Sequence, residues 1–265
     1  MDYINLYNGD CLEVMDELIE KGVKVDAIIT DPPYGTTACK WDSIIPFNEM
    51  WERLRKLRYD NTPIVLFGSE PFSSALRMSN IKEFKYDWIW HKNMGGSFAL
   101  CKKQPLKRHE IISVFYKKQC LYNPQFEQYS DSTKKRFKQG EKVKRNTKNV
   151  TNQINGGINY EGIQPIDLKR GTYPTSVKFF KRPHTANGAS YHPTQKPVEL
   201  LEYLIKTYTK ENDKENDLVL DFTMGSGSTG VACKNLNRKF IGIELDKEYF
   251  EIAKNRINKT QKKLF

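Results

Sequence analysis

A chain of 265 residues that is 38% hydrophobic and 28% charged has the composition of a globular protein with a sizeable core, large enough for one big domain or a core domain carrying an insertion. Its formal charge of +11 and pI near 9.2 favour an anionic partner, nucleic acid before an anionic membrane surface. The longest apolar runs span only a few residues and the opening MDYINLYNGD has no basic or apolar leader region, which excludes a membrane-spanning helix and gives a cytoplasmic protein as the expectation.

Ile4, Leu6 and Tyr7 read as a short strand ending at Asn8-Gly9-Asp10. Residues 11–21 then set Val14, Met15, Leu18 and Ile19 on one helical face. Asp26 to Thr30 is a second strand, stopped by TDPPYG at residues 30–35. Consecutive prolines donate no backbone N–H and fix φ, so Asp31 to Tyr34 continue neither helix nor central strand. Such a turn ends a strand and does nothing more, or it holds its acceptors toward a ligand. Phe47 to Leu57 reads as a helix and Pro63 to Gly68 as a third strand. Ser69 is the expected N-cap of a helix carrying Phe72, Ala75 and Leu76, and Ile111 to Tyr116 is a further strand.

From about 117 to 182 apolar periodicity fades and Lys, Asn, Gln, Gly and Thr dominate. Lys134, Lys135, Arg136, Lys138, Lys144 and Arg145 form the centre of a basic block with aromatic residues interleaved or just before it. It reads equally as a solvated loop or as an insertion that neutralises phosphates and reaches base edges. Periodicity returns at Lys196, where Pro197 opens a helix with Val198, Leu201, Leu204, Ile205 and Tyr208 on one face.

Leu218 to Leu220 form a buried strand. Gly225, Gly227 and Gly230 then spell G-x-G-x-x-G where the chain enters a helix at Val231 to Leu236. Glycines admit close backbone approach and leave helix N–H groups facing a ligand. The next strand, Phe240 to Ile243, ends at Glu244, about where a Rossmann acid meets ribose hydroxyls. The pattern calls for a nucleoside-bearing cofactor and does not by itself separate NAD from S-adenosylmethionine. The five cysteines are scattered, never C-x-x-C, and the four histidines show no ligand spacing, so neither a disulfide framework nor a metal site is expected.

The order of motifs carries a resemblance. TDPPYG, a variable middle, HPTQKP at 192–197, DFTMGSGST and IGIEL together resemble the beta group of DNA amino-methyltransferases, in which the DPPY catalytic motif precedes the target-recognition insertion and the cofactor motif comes last. The resemblance spans both ends of the chain. One departure is that Asp221 is followed by Phe222 and Thr223, where the family usually reads Asp-Pro-Phe.

The resemblance implies a Rossmann-like α/β methyltransferase fold, with a mostly parallel seven-stranded sheet, helices on both faces and a circularly permuted motif order. Residues 1–116 would be the catalytic half, 117–185 the inserted recognition region and 186–265 the cofactor half. S-adenosyl-L-methionine is the implied cofactor. Asp10, Cys11, Asp31, Lys196, Asp221, Thr223, Gly225, Gly227, Ser228, Thr229 and Glu244 are its candidate contacts. Asp10 is equally a turn residue after Asn-Gly; a helix-entry lysine such as Lys196 is often only solvated, but the flanking motif favours its ligand role. Duplex DNA is the implied partner; a homodimer and a cognate restriction endonuclease are family traits that the sequence leaves open.

TDPPYG then acquires a chemical reason. The lone pair of an exocyclic amine is delocalised into its ring, and two hydrogen-bond acceptors would localise and aim it. Asp31 supplies a carboxylate and Pro32 a carbonyl, on a turn that Pro33 stiffens. Tyr34 offers a face for an extruded base, and stacking worth about 1–3 kcal/mol offsets the cost of flipping. The expected activity is methylation of adenine N6 in duplex DNA. Cytosine N4 is the nearest alternative, and a noncatalytic nucleic-acid-binding protein with a nucleotide pocket the more distant one.

Overall fold

The computed structural model describes residues 3–36, 42–96, 98–141, 166–183, 194–210 and 217–260. The chain separates into two compact units, Met1–Asn123 with Ser176–Phe265, and Pro124–Thr175.

The first unit is built on an eight-stranded sheet. Its strands are β1 (Ile4–Asn8), β2 (Ala27–Thr30), β3 (Ile64–Gly68), β4 (Phe84–Gly96), β5 (Lys107–Phe115), β6 (Val177–Phe179), β7 (Leu218–Asp221) and β8 (Lys239–Glu244). They lie in the order β1-β8-β7-β2-β3-β5-β4-β6. The first five in that order run parallel, β5 is antiparallel to both β3 and β4, and β6 is parallel to β4. In β2, β3 and β7 every residue is buried. Parallel strands covered on both faces lose the alternation of half-exposed strands and read as continuous apolar runs.

Helices cover both faces. On one side α1 (Cys11–Glu20), α2 (Phe47–Leu57) and α3 (Phe72–Ser79) bury Met15, Leu18, Trp51, Leu54 and Leu76 against Ile28, Ile64 and Leu220. In the second unit a short helix, α4 (Asp131–Arg136), is capped by Ser130. Back in the first unit, α5 (Val198–Tyr208), α6 (Ser228–Asn235) and α7 (Lys247–Lys259) cover the other face with Leu201, Leu204, Ala232 and Ile257 over Ile29, Val65 and Val219. The Tyr208 hydroxyl, at the end of α5, accepts the Trp88 indole N–H at 2.6 Å and meets Tyr86 Oη at 2.9 Å, tying β4 to that layer.

In the second unit Glu127 and Thr172 form an isolated bridge. The Arg170 guanidinium lies 4.9 Å from the Phe126 ring and 5.4 Å from that of Tyr173.

Several boundaries differ from the sequence expectation. The sheet has eight strands instead of seven. The addition is β6, formed by residues 177–179 from within the expected 117–185 insertion and belonging to the first unit. β4 and α7 were not anticipated. β5 begins at Lys107 and α6 at Ser228, earlier than their apolar residues suggest. Ser69 does not cap α3: the N-cap is Pro71, with no side-chain cap, and Ser69 contributes its carbonyl to the Ser73 N–H at 3.0 Å. No helix among the described residues is long and apolar enough to cross a membrane, and no group of potential metal ligands occurs among them.

Candidate active site

A cavity of about 380 Å³ opens where the parallel strands end. Ligands of open α/β sheets bind beyond the carboxyl ends of the strands, and here each of four adjacent strands delivers an acid to that rim. Asp10 follows β1, Asp31 follows β2, Asp221 closes β7 and Glu244 closes β8. All line the cavity, as do Cys11, Pro32, Pro33, Tyr34, Lys196, Thr223, Gly225, Ser228 and Thr229.

Asp10 is the N-cap of α1, its Oδ1 accepting the N–H of Leu12 at 2.8 Å and of Glu13 at 3.3 Å. A cap satisfies helix donors that otherwise face water, so the residue is structural at least. Cys11 follows it, and burial, with help from Asp10, pushes its thiol up to about 12, which keeps it protonated and unreactive. Glu244 Oε2 accepts the Gly225 N–H and Oε1 the Asp246 N–H, both at 2.8 Å. Burial raises its pKa.

Gly225 and Gly227 both have positive φ, 51° and 79°, but their reasons for being glycine differ. A Cβ on Gly225 would meet nothing within 4 Å, whereas one on Gly227 would stand 2.9 Å from the Ala253 Cβ on α7. Gly227, a candidate cofactor contact, is the N-cap of α6 and does not appear in the cavity wall; it permits helix packing. Phe222, the displaced aromatic, is buried in the core.

The TDPPYG turn is fixed from several sides. Asp42 accepts three consecutive backbone N–H groups, those of Tyr34, Gly35 and Thr36, at 2.8 to 2.9 Å. The Tyr34 ring packs on Phe72, centroids 5.1 Å apart, and its hydroxyl donates to Asp31 Oδ1. Lys196 donates to Asp31 Oδ2 and its Nζ lies 3.4 Å from Glu110 Oε2. Lys92 donates to Glu110 Oε1. Lys196, a candidate cofactor contact, is therefore already committed to the carboxylate of the TDPPYG turn.

This cluster is buried. Burial pushes the Asp31 carboxyl up, Lys196 pulls it down and Glu110 pushes it up again, the net direction being upward. Burial opposes the charge on Lys196, but Asp31 and Glu110 outweigh it and raise its pKa. Glu110 is opposed by burial too, and Lys196 and Lys92 bring it below the ordinary value. At the end of β7, burial raises Asp221 to about 6 against hydrogen bonds from Thr229 and Thr30.

Thr30, Asp42, Lys92 and Glu110 belong to this site and were not read from the sequence. Thr30, although inside TDPPYG, acts through Asp221 and Thr223, Asp42 through the backbone of residues 34–36, and Lys92 and Glu110 through pairings made across the fold. Lys134, Lys135, Arg136 and Lys138 are exposed on or just after α4 in the second unit. Lys144, Arg145 and the His192-Pro193 start of HPTQKP lie outside the described residues.

The family whose model matches is that of the DNA methylases of the N6/N4 class, over residues 25–255. Type II methyltransferase M.HpaI of Haemophilus parainfluenzae is 29% identical over 250 residues, 88% of this chain and 68% of that protein. Type II methyltransferase M2.LlaDCHI of Lactococcus lactis subsp. cremoris is 56% identical over 71 residues, which span 27% of this chain and only 25% of that protein. Among solved structures, the M1.HpyAVI–SAM complex has a TM-score of 0.62 at 29% identity, covering 96% of this chain and 99% of that one. Fold, motif order and family match agree: the chain belongs to the S-adenosylmethionine-dependent DNA amino-methyltransferases of the N6/N4 class.

Proposed function

We propose that this protein transfers a methyl group from S-adenosylmethionine to the exocyclic N6 of an adenine flipped out of duplex DNA. The observation that carries this reading is the rigid Asp31–Tyr34 turn at the wall of a cavity that also receives Asp10, Asp221 and Glu244. The residues fit the cofactor. Glu244 would accept from the ribose hydroxyls, Asp10 and Cys11 would hold the nucleoside end, and Ser228 and Thr229 bring the α6 N-terminus to the cavity. Asp221, Thr223 and Gly225 would hold the methionine end. When bound, the cofactor supplies an electrophilic methyl on sulfur.

The chain's own groups aim the nucleophile. Asp31 and the Pro32 carbonyl accept the amine N–H bonds, which localises the lone pair, and the turn held by Asp42 cannot drift from that geometry. Tyr34 provides an aromatic wall for the extruded base. The second unit, with Lys134, Lys135, Arg136 and Lys138, together with Lys144 and Arg145, would read the duplex, so that residues 117–185 serve as the recognition region.

The test is to incubate the protein with S-adenosylmethionine and unmethylated genomic DNA, digest to nucleosides and identify the product by mass. N6-methyldeoxyadenosine supports the reading. N4-methyldeoxycytidine keeps the mechanism and replaces the base, and no methylated nucleoside despite cofactor and DNA binding overturns catalysis.

A further inference from the structure

Glu110 stands on β5 opposite Trp90 of β4, does not line the cavity, and has a side chain 16% exposed. Its Oε1 is taken by Lys92. Its buried Oε2 makes no hydrogen bond among the described residues and lies 3.4 Å from Lys196 Nζ. That ammonium donates instead to Asp31 Oδ2, packed 5.2 Å from the Phe67 ring centroid. Two carboxylates thus face one ammonium, and the one the cavity needs is holding it.

For methylation Asp31 must accept an N–H from the target amine. Its Oδ1 already receives the Tyr34 hydroxyl and its Oδ2 the Lys196 ammonium. An ammonium on the carboxylate weakens it as an acceptor. It also places positive charge beside a nitrogen that becomes cationic as its bond to carbon forms, the carbon–sulfur bond breaks with its electron pair passing to sulfur, and the nitrogen then releases a proton along its hydrogen bond to Asp31. In a buried site such charges interact strongly. The Oε2 of Glu110, already ion-paired with the ammonium at 3.4 Å, gives it a second seat, reached by a small swing of a long side chain.

We propose that Glu110 is a positioning residue that draws Lys196 off Asp31 as the target amine enters, restoring Asp31 as a full-strength acceptor. The inference rests on the methyltransferase reading above. Charge balance supports it: Asp31 and Glu110 offset Lys196 and Lys92, and loss of Glu110 leaves this cluster with one unmatched positive charge. That change disfavours cationic S-adenosylmethionine more than neutral S-adenosylhomocysteine.

The experiment compares wild type, Glu110→Gln and Glu110→Asp on unmethylated genomic DNA, with dissociation constants for S-adenosylmethionine and S-adenosylhomocysteine measured by calorimetry. The expected result is a kcat lowered roughly tenfold or more in Glu110→Gln, with KM for DNA within about twofold of wild type, weaker binding of S-adenosylmethionine relative to S-adenosylhomocysteine, and partial recovery of kcat in Glu110→Asp. Wild-type kcat in Glu110→Gln overturns the proposal. So does a parallel loss of folding and of both ligands in the two variants, which marks a structural role. Absence of transfer by the wild type would instead refute the methyltransferase reading.

Discussion

The Thr223 hydroxyl stands 3.1 Å from the carbonyl oxygen of Asp31, joining residues 192 apart in sequence. It also lies 2.7 Å from Thr30 Oγ1, which donates to Asp221 Oδ1 at 2.6 Å. The two hydroxyls thus link Asp221, at the end of β7, to the Asp31 carbonyl that follows β2.

Burial raises the pKa of Asp221 to about 6 against an ordinary 3.8, over the opposing hydrogen bonds from Thr229 and Thr30. Folding binds this proton more tightly than the unfolded chain does. The group therefore favours the fold fully below about pH 4, and that advantage disappears as pH rises through 6. The shift corresponds to about 3 kcal/mol. Asp221→Asn should raise unfolding free energy by up to about that amount at pH 8 and hardly at all at pH 4. Urea denaturation at the two pH values checks this, and an equal effect at both would refute it.

Asp31→Ala is expected to lower turnover at least about 100-fold, while affinities for S-adenosylmethionine and DNA stay within about tenfold. Single-turnover methylation read beside calorimetry and gel-shift binding separates the two. Retained turnover removes Asp31 from the chemistry.

Gly227→Ala and Gly225→Ala should differ although both residues have positive φ. Each carries the left-handed penalty of about 1–2 kcal/mol. Only at Gly227 does the new methyl also collide with Ala253 and Ile257 of α7, so Gly227→Ala should melt at a distinctly lower temperature. Calorimetric melting of both variants decides it, and equal melting temperatures would rule the packing role out.

DNA affinity should fall steeply with salt. Replacing Lys134, Lys135 and Arg136 with Gln should reduce the log–log slope by up to about 3. Fluorescence anisotropy with duplex DNA across a salt series measures the slope; an unchanged value returns these residues to an ordinary solvated surface.

Elements whose partners lie nearby in pattern were legible, and those explained only by distant contacts were not. The buried runs of β2, β3 and β7 and the spaced apolar residues of α1, α2 and α5 declare themselves. β4 hides because aromatic residues alternate with charged ones such as Asp87. That carboxylate accepts the Ser113 hydroxyl of β5 at 2.7 Å and pairs with Arg77 of α3 at 3.2 Å. α7 buries only Ala253 and Ile257, too faint a stripe to read. In the site, Asp31, Asp221 and Glu244 stand in recognisable motifs. Asp42 serves backbone N–H groups, and Glu110 acquires its meaning only once β5 brings it beside Lys196.

The placement of β7 and β8 bears on how the pocket is divided along the sequence. β8 is the sheet neighbour of β1, and β7 fills the position beside β2, yet both follow β1 to β6 in the chain. Asp10 and Asp31 therefore sit on strands whose neighbours in the sheet come from a remote stretch of sequence. A cut between β6 and β7 would leave each piece with only part of the rim, Asp10 and Asp31 on one and Asp221 and Glu244 on the other.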